Sequence, residues 1–194
     1  MAKIEKIIPF FLRWETSVVR KEDESLEQLF ERARLKGRAN DPLDHGGPTM
    51  CGVTIGAYEA YCKQKGYPKP TVVRLFNIDL TAWIDVLDTL FWQPWKADLI
   101  QNQSVAEICV DWGWASGTRT SVKQVQRLLG VAADGVVGPK TLAAINSMAP
   151  MSLFYRIREA RVQFVKAIVR RNPSQKKWLN GWLNRINDIK FSEE

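Results

Sequence analysis

Two acidic side chains are the residues of this chain best suited to acid–base chemistry. Glu15 follows an apolar stretch near the N-terminus, and Asp44 lies in the glycine- and proline-rich segment NDPLDHGGPTMCGVT, which runs from Asn40 to Thr54. Glycosidic cleavage needs one carboxyl group to protonate the leaving oxygen and a second to attack or stabilise the cationic centre, or to activate water. Acidic turns of this composition are more often only turns, so the pair needs support from the elements that position it.

The apolar stretch before Glu15 predicts a helix that carries this residue on its buried face. Large apolar side chains recur at the spacing of one helix face: Ile4, Ile7, Ile8, Phe11 and Leu12. Glu15 falls on the same face, where burial disfavours the charged carboxylate and so suits it to donate a proton. Pro9 requires the helix to begin or to kink nearby. The alternative is that Glu15 marks the helix end and turns to solvent.

The segment around Asp44 predicts a tight turn or hairpin. Asp-Pro and Gly-Gly-Pro force the chain to turn, and the alternation of Cys51, Val53 and Ile55 with smaller residues predicts a short strand. Asp44 would then project rigidly from the turn, with Gly46 and Gly47 leaving room for a sugar chain. Asp41 is the rival carboxylate, although Pro42 behind it is typical of a turn former.

Three polar positions and one glycine in this segment complete the expected site. Thr54, or Thr49 in its place, could hold a water molecule with its hydroxyl group, and we predict Thr54 as a third catalytic residue. Asn40, Gly47 and Thr49 are predicted to contact the substrate. The lone His45 is more typical of a turn residue than of a base, and one histidine cannot assemble a histidine-rich metal site, so no metal or cofactor is expected.

Helical patterns dominate the rest of the chain. Apolar periodicity and breakers predict helices over 58–65, 79–91, 122–129, 141–147 and up to about Arg170, and a last one through Trp178 and Ile186. Ser104 and Ser152 are predicted as helix caps. Aromatic faces stack on sugar rings, and Trp112 and Trp114 are the best candidates for that role. Trp83, Trp178 and Trp182 have helical spacing and are more typical of a core.

Several motifs in one order resemble a known family. Besides the apolar helix that ends in Trp-Glu and the Asn40–Thr54 segment, these are VDWGWASG at 110–117, QVQRLLGVAADGVVGPKTLAAIN at 124–146 and GWLNRI at 181–186. Together they resemble the glycosyl hydrolase family 108 muramidases of the lysozyme-like superfamily, with their peptidoglycan-binding segment. The resemblance implies a mainly α, two-lobed lysozyme-like fold with a small β-hairpin, and a cleft between its helical lobes.

The chain departs from the family pattern in two places. The family reads Glu-Gly-Gly-Tyr after the first helix, whereas Glu15 is followed by Thr-Ser-Val and by an apparent insertion over 16–38. Ser25 and Gln28 predict a capping box, and an amphipathic stripe ended by Gly37 makes the insertion an added helix. Ala115 replaces the asparagine that the family carries in its Asp-x-x-x-Asn-x-Gly stretch, so one polar contact is missing.

The resemblance implies which activity and which domains to expect. The implied substrate is the β-1,4 bond between N-acetylmuramic acid and N-acetylglucosamine in bacterial peptidoglycan, with Glu15 as the acid and Asp44 as the second carboxylate. We expect a catalytic lobe over 1–97 and a peptidoglycan-binding lobe over 98–194, in one compact monomer. A wall-binding module that has lost catalysis is the alternative, since the residues after Glu15 are altered.

Composition and charge limit the other function classes. The 194-residue chain carries a net charge of +7, and most of the excess lies after Met151, which favours a polyanionic partner or only a solvated helix face. A DNA-binding helix-turn-helix at 122–146 is disfavoured, because its second helix offers few base-reading groups. No segment reads as a membrane span or a signal peptide. We therefore expect a protein made in the bacterial cytoplasm that acts at the cell wall, as a phage or prophage endolysin or as a secretion-linked wall-remodelling enzyme.

Overall fold

The computed structural model describes residues 1–40 and 47–193, and these form helices and one small sheet. The mainly α class with a small β element, predicted from the sequence, is confirmed. Residue contacts divide the chain into two compact units, which are Ile4–Leu90 and a second formed by Met1–Lys3 with the chain from Phe91 onward. The predicted domain ranges, 1–97 and 98–194, stay a prediction. No helix in the described part is both long enough and apolar enough to cross a membrane.

The first unit consists of short helices and a three-stranded antiparallel sheet. Its helices are α1 (Ile8–Thr16), α2 (Leu26–Arg34), α3 (Ile55–Lys65), α4 (Val72–Phe76) and α5 (Leu80–Leu87). The strands β1 (Arg38–Ala39), β2 (Thr49–Met50) and β3 (Val53–Thr54) pair in that order. The predicted core role of Trp83 is confirmed, since it is fully buried together with Phe11, Leu12, Leu29 and Phe30.

Helix α1 begins at its proline rather than kinking there. Pro9 occupies the first turn, where its missing N–H costs no intrahelical hydrogen bond. The helix ends where Ser17 adopts a left-handed conformation with φ of 60°, and the Ser17 N–H donates to the Arg13 carbonyl at 2.8 Å. Ile8, Phe11 and Leu12 are fully buried, so the predicted apolar face is the face that packs.

The inserted segment is an ordered part of the core. Ser25 and Gln28 form the predicted capping box of α2, and Phe30 packs on Trp83 with ring centroids 5.9 Å apart. The loop before α2 is held by Glu24, which accepts hydrogen bonds from Arg32 Nε at 2.6 Å and from the Lys21 N–H at 2.9 Å. The hydrogen bond from Arg32 is the main reason that the pKa of Glu24 falls to about 2. The insertion is therefore a packed helix, and an ion pair holds the loop that precedes it.

The strand predicted over Cys51–Ile55 is wrong in its extent. Strand β2 ends at Met50, Cys51 and Gly52 form a two-residue connection, and β3 covers only Val53 and Thr54. Helix α3 then starts at Ile55, because the Thr54 side chain accepts a hydrogen bond from the Ala57 N–H at 3.1 Å and caps the helix. The alternating apolar residues therefore lie in three different elements: Cys51 in the turn, Val53 in β3 and Ile55 at the start of α3.

The second unit is built on five helices joined by short turns. A π-helical turn at Asp88–Trp92 leads into this unit, and 3-10 turns follow at Gln93–Trp95 and Ala97–Leu99. The five helices are α6 (Gln103–Ser116), α7 (Thr118–Leu129), α8 (Pro139–Ser147), α9 (Pro150–Arg171) and α10 (Lys176–Asp188). A further 3-10 turn at Pro173–Gln175 connects α9 to α10. Pro139 is the first residue of α8, where its missing N–H costs no hydrogen bond.

Three sequence predictions fail in this unit. Asn102, not Ser104, caps α6 by accepting from the Val105 N–H at 3.1 Å, while the Ser104 hydroxyl accepts from the Ser192 N–H at 2.9 Å. Helix α9 begins two residues before Ser152 and has no side-chain cap. Trp178 is 54% exposed and so is not a core residue.

One buried ion cluster joins three helices of the second unit. Asp111 on α6 is fully buried and accepts hydrogen bonds from Arg161 Nη2 on α9 at 2.7 Å and from Arg185 Nε on α10 at 2.9 Å. Burial alone would raise the pKa of Asp111, but the two guanidinium groups outweigh it and hold the pKa below its usual value. The carboxylate thus ties α6 to the two C-terminal helices.

Candidate functional site

Glu15 lies in the last turn of α1, half-buried, on the same face as the buried Phe11 and Leu12. Its side chain rests against the backbone of Gly52. A Cβ atom built on Gly52 would lie 2.5 Å from Glu15 Cγ and 2.6 Å from both Cδ and Oε2. The carboxyl group is therefore held between an apolar helix face and the hairpin turn, and it does not extend freely into solvent from the helix end.

The hairpin turn can accept Glu15 only because of its backbone geometry. Cys51 and Gly52 have φ of 47° and 80°, the two positive values that a tight two-residue hairpin connection requires. The turn is braced from two sides: Trp83 Nε1 donates to the Cys51 carbonyl at 3.1 Å, and the Cys51 N–H donates to the Gly37 carbonyl at 2.8 Å. Gly52 thus combines a left-handed backbone with the absence of a side chain where the carboxyl group packs.

The Cys51 thiol beside this contact stays neutral. Burial is the main cause that raises its pKa to about 12, Arg34 on α2 opposes the rise and the negative charge of Glu15 adds to it. The thiol also lies close to Gly37, where a Cβ atom would fall 2.6 Å from Cys51 Sγ. On this side Glu15 is thus bordered by a neutral, closely packed thiol.

The other predicted residues of the Asn40–Thr54 segment are only partly described. Asp44 lies outside the described residues, as do Asp41 and His45, so its role stays a prediction. Thr54 and Thr49 are half-buried and face each other as a pair in β3 and β2. The Thr54 hydroxyl oxygen is the cap of α3, but it keeps a proton that can contact a water molecule.

The predicted substrate contacts at Asn40 and Gly47 flank the undescribed stretch. Asn40 is exposed just after β1, and Gly47 has φ of 67° with a Cβ position 3.5 Å from Ile55 Cγ2. The positive φ explains the glycine at 47 by backbone geometry alone. Their assignment to substrate binding, like that of Thr49, stays a prediction.

The two predicted sugar-stacking tryptophans lie in the second unit and differ in burial. Trp112 is 1% exposed and packs edge-to-face on Phe164, with centroids 5.7 Å apart. Trp114 is half-buried and packs on Phe91 at 4.9 Å. Stacking on a sugar ring needs an open indole face, so of the two predictions the burial favours Trp114.

Two structural features, at Gly52 and Arg161, are not among the predictions from the sequence. Gly52 was noted only as a small residue in an alternating run, and nothing local signals that Glu15 packs on it. The burial of Arg161 could be predicted from the sequence, because Arg161 continues the four-residue spacing of Leu153, Ile157 and Val165 along one face of α9. An arginine on such a face needs a buried carboxylate, and Asp111 is the one that the structure supplies.

Metal chemistry has no visible support in the part of the chain that the structure describes. No group of three or more histidine, cysteine, aspartate or glutamate side chains among those residues is arranged to hold a metal ion. The three cysteines are buried free thiols.

Gly52→Ala tests whether the hairpin turn positions Glu15. We expect about a 100-fold loss of any activity that needs the Glu15 carboxyl group, because the new methyl group must displace that group by about 1 Å. Gly66→Ala is the matched control: Gly66 has φ of 72° but nothing within 4 Å of its Cβ position. Both variants should lose similar stability from backbone strain, measured by thermal unfolding, and only Gly52→Ala should lose activity. Equal activities in the two would refute the positioning role.

Two sequence families match the chain. The Glycosyl hydrolase 108 family matches residues 35–117, and a family described as "Predicted Peptidoglycan domain" matches residues 120–187. Glu15 and most of the insertion precede the first matched range. No curated protein matches the chain.

A solved structure matches over nearly the whole length. It is described as the structure of Brucella abortus SagA, and it is similar to this chain with a TM-score of 0.74 at 23% sequence identity, over 96% of this chain and 90% of that one. At 23% identity this similarity shows the fold alone. The chain is therefore similar to the glycosyl hydrolase 108 family over residues 35–117 and to a peptidoglycan-domain family over residues 120–187, and it shares its fold with that solved structure.

Proposed function

We propose that this chain is an N-acetylmuramidase that hydrolyses the β-1,4 bond between N-acetylmuramic acid and N-acetylglucosamine, with Glu15 as the general acid. The observation that carries the proposal is the contact between the Glu15 carboxyl group and the Gly52 backbone. It fixes the position of a carboxyl group at the end of helix α1, and glycoside hydrolysis needs such a positioned carboxyl group to protonate the leaving oxygen.

Residues of the Asn40–Thr54 segment are proposed to supply the second carboxylate and to orient water. Asp44 is proposed to stabilise or attack the cationic centre or to activate water, and Thr54 to orient a water molecule with its hydroxyl proton. The pairing of Thr54 with Thr49 across β2 and β3 supports this, because it places two hydroxyl-bearing residues of the segment side by side in the first unit.

The biological setting is a proposal of the same kind. A role at the cell wall agrees with the peptidoglycan-binding match over 120–187. We propose a monomeric endolysin of phage or prophage origin that is made in the cytoplasm, with secretion-linked wall remodelling as the second candidate. The exposed basic residues of α9 and α10 would attract the anionic wall: Arg170, Arg171, Lys176 and Lys177.

Analysis of the released products tests the bond specificity. Purified peptidoglycan is digested, reduced with borohydride and hydrolysed, and the reduced amino sugars are quantified. We expect new muramic acid reducing ends and no new glucosamine reducing ends. Glucosamine ends would identify a glucosaminidase and refute the bond assignment. Binding to the wall without any new reducing end would favour the inactive wall-binding module.

A further inference from the structure

A small pocket opens in the second unit between α6, α9 and α10. It has a volume of about 110 Å³, and apolar side chains make up most of its wall. Its lining includes Trp112 and Ala115 from α6, Val165 and Ile168 from α9, and Trp182 from α10. Such a volume exceeds the roughly 10–15 Å³ that one water molecule needs. The pocket is therefore large enough for a small organic group.

Arg161 adds one polar group to this wall. Its side chain is 3% exposed, Nη2 donates to Asp111 Oδ2 at 2.7 Å, and Nη1 donates to the Ile108 carbonyl at 3.4 Å. The Nε–H donor is also buried, and it has no hydrogen-bond partner among the described residues. Buried donors are nearly always satisfied, and one left over on a residue that lines a pocket points to an acceptor supplied by a ligand.

The chemistry of the wall limits what that ligand can be. The apolar walls disfavour burial of a charged ligand, so a neutral acceptor fits better than a carboxylate. The indole rings and Val165 offer contact to a methyl group. A methyl group attached to a carbonyl group, as in acetamide, satisfies both requirements within the available volume.

We propose that this pocket is an acetamido subsite, which takes the N-acetyl group of an amino sugar in the glycan strand. The methyl group packs on Trp112 and Val165, and the carbonyl oxygen accepts a hydrogen bond from Arg161 Nε. The proposal rests on the proposed function, which assigns an N-acetylated glycan as substrate. Arg161, Val165 and Trp182 all lie within the range 120–187 that matches the peptidoglycan-binding family, so the subsite would give that domain a specific contact with the wall.

Titration of the full-length protein with methyl glycosides tests the subsite by NMR. The probes are methyl N-acetylglucosaminide and, as the control without an acetamido group, methyl glucoside. The indole N–H signal of Trp182 is identified by its loss in Trp182→Ala. We expect the N-acetylated probe to shift this signal with a dissociation constant on the order of 1 mM, because the group is small, and methyl glucoside to leave it unchanged.

Ala115→Phe and Trp178→Ala provide the matched variants. Ala115 lines the pocket and is exposed, so a phenylalanine there should block it and weaken binding at least about tenfold. Trp178 lies on α10 with Trp182 but is not part of the lining, so its removal should leave the titration unchanged. Thermal unfolding checks that each variant is folded.

Three outcomes would overturn the subsite. They are no shift of the Trp182 signal at 50-fold above the expected dissociation constant, an equal shift with methyl glucoside, and saturation of the same signal by D-alanyl-D-alanine, which would assign the pocket to the peptide stem. The product analysis decides the muramidase assignment separately. An active muramidase with no shift at Trp182 refutes the subsite alone.

Discussion

Glu15→Gln should abolish most of the peptidoglycan hydrolysis while leaving the fold intact. Glutamine keeps the shape of the side chain, so it still fits against Gly52, but it has no proton to donate to the leaving oxygen. General acid catalysis contributes about 10²- to 10⁴-fold, and we expect the rate of new reducing ends to fall by that factor. Binding to purified peptidoglycan should persist, since Glu15 lies outside the matched peptidoglycan-binding range.

The dependence of the rate on the leaving group distinguishes a general acid from a residue that only shapes the site. A 4-nitrophenyl glycoside of the N-acetylated glycan needs little protonation when its bond breaks. The loss in Glu15→Gln should therefore be much smaller on this substrate than on the natural glycan. A role in positioning alone would reduce the rate on both substrates equally.

Glu22→Gln is the matched control for the same change at an exposed glutamate. It lies in the loop before α2, within the first unit, and it should keep wild-type activity on both substrates. If Glu15→Gln is as active as Glu22→Gln, Glu15 is not the acid and the assignment fails. If Glu15→Gln instead lowers the unfolding temperature strongly, its role is structural.

The position of Glu15 on the helix could be predicted from the sequence, but its contact could not. The periodicity of Ile8, Phe11 and Leu12 determines the buried face, and Glu15 shares it. The partner, Gly52, lies in a turn whose place depends on how β2 and β3 pair and on Trp83 bracing the turn from α5. Such a contact depends on tertiary packing, which local patterns do not encode.

Errors at the helix caps have a similar origin. Ser104 and Asn102 are both good caps two residues apart, and the hydroxyl of Ser104 is engaged by the distant Ser192 N–H. In α2 the reciprocal pair of Ser25 and Gln28 left no such ambiguity, and the prediction was confirmed. Caps are therefore predictable where two local signals agree, and less so where long-range hydrogen bonds compete for one of the candidates.

Asp111→Asn should cause the largest loss of stability among single substitutions considered for this chain. Asparagine keeps the shape of the side chain but removes the charge that faces Arg161 and Arg185 at 2.7 and 2.8 Å. Breaking a buried ion pair by removing one charge costs about 3–5 kcal/mol. For a protein of this size that lowers the midpoint of thermal unfolding by roughly 10 °C.

A surface ion pair gives the matched comparison. Glu59 and Lys69 lie 3.4 Å apart, with side chains 40% and 80% exposed. Exposed pairs contribute about 0–1 kcal/mol, so Glu59→Gln should unfold within a few degrees of the wild type. Similar midpoints for the two variants would show that the Asp111 cluster does not stabilise the C-terminal helices.

The pH dependence of unfolding distinguishes a charge effect from a packing effect at Asp111. Because the two arginines hold its pKa below the usual value, ionised Asp111 stabilises the folded state above the unfolded-state pKa of about 3.9. This contribution is lost as the pH falls through the lower pKa of the folded state. The difference in stability between wild type and Asp111→Asn should hence stay constant from about pH 5 to 8 and shrink below about pH 4. A difference that persists unchanged at low pH would instead assign the effect to altered packing of α6, α9 and α10.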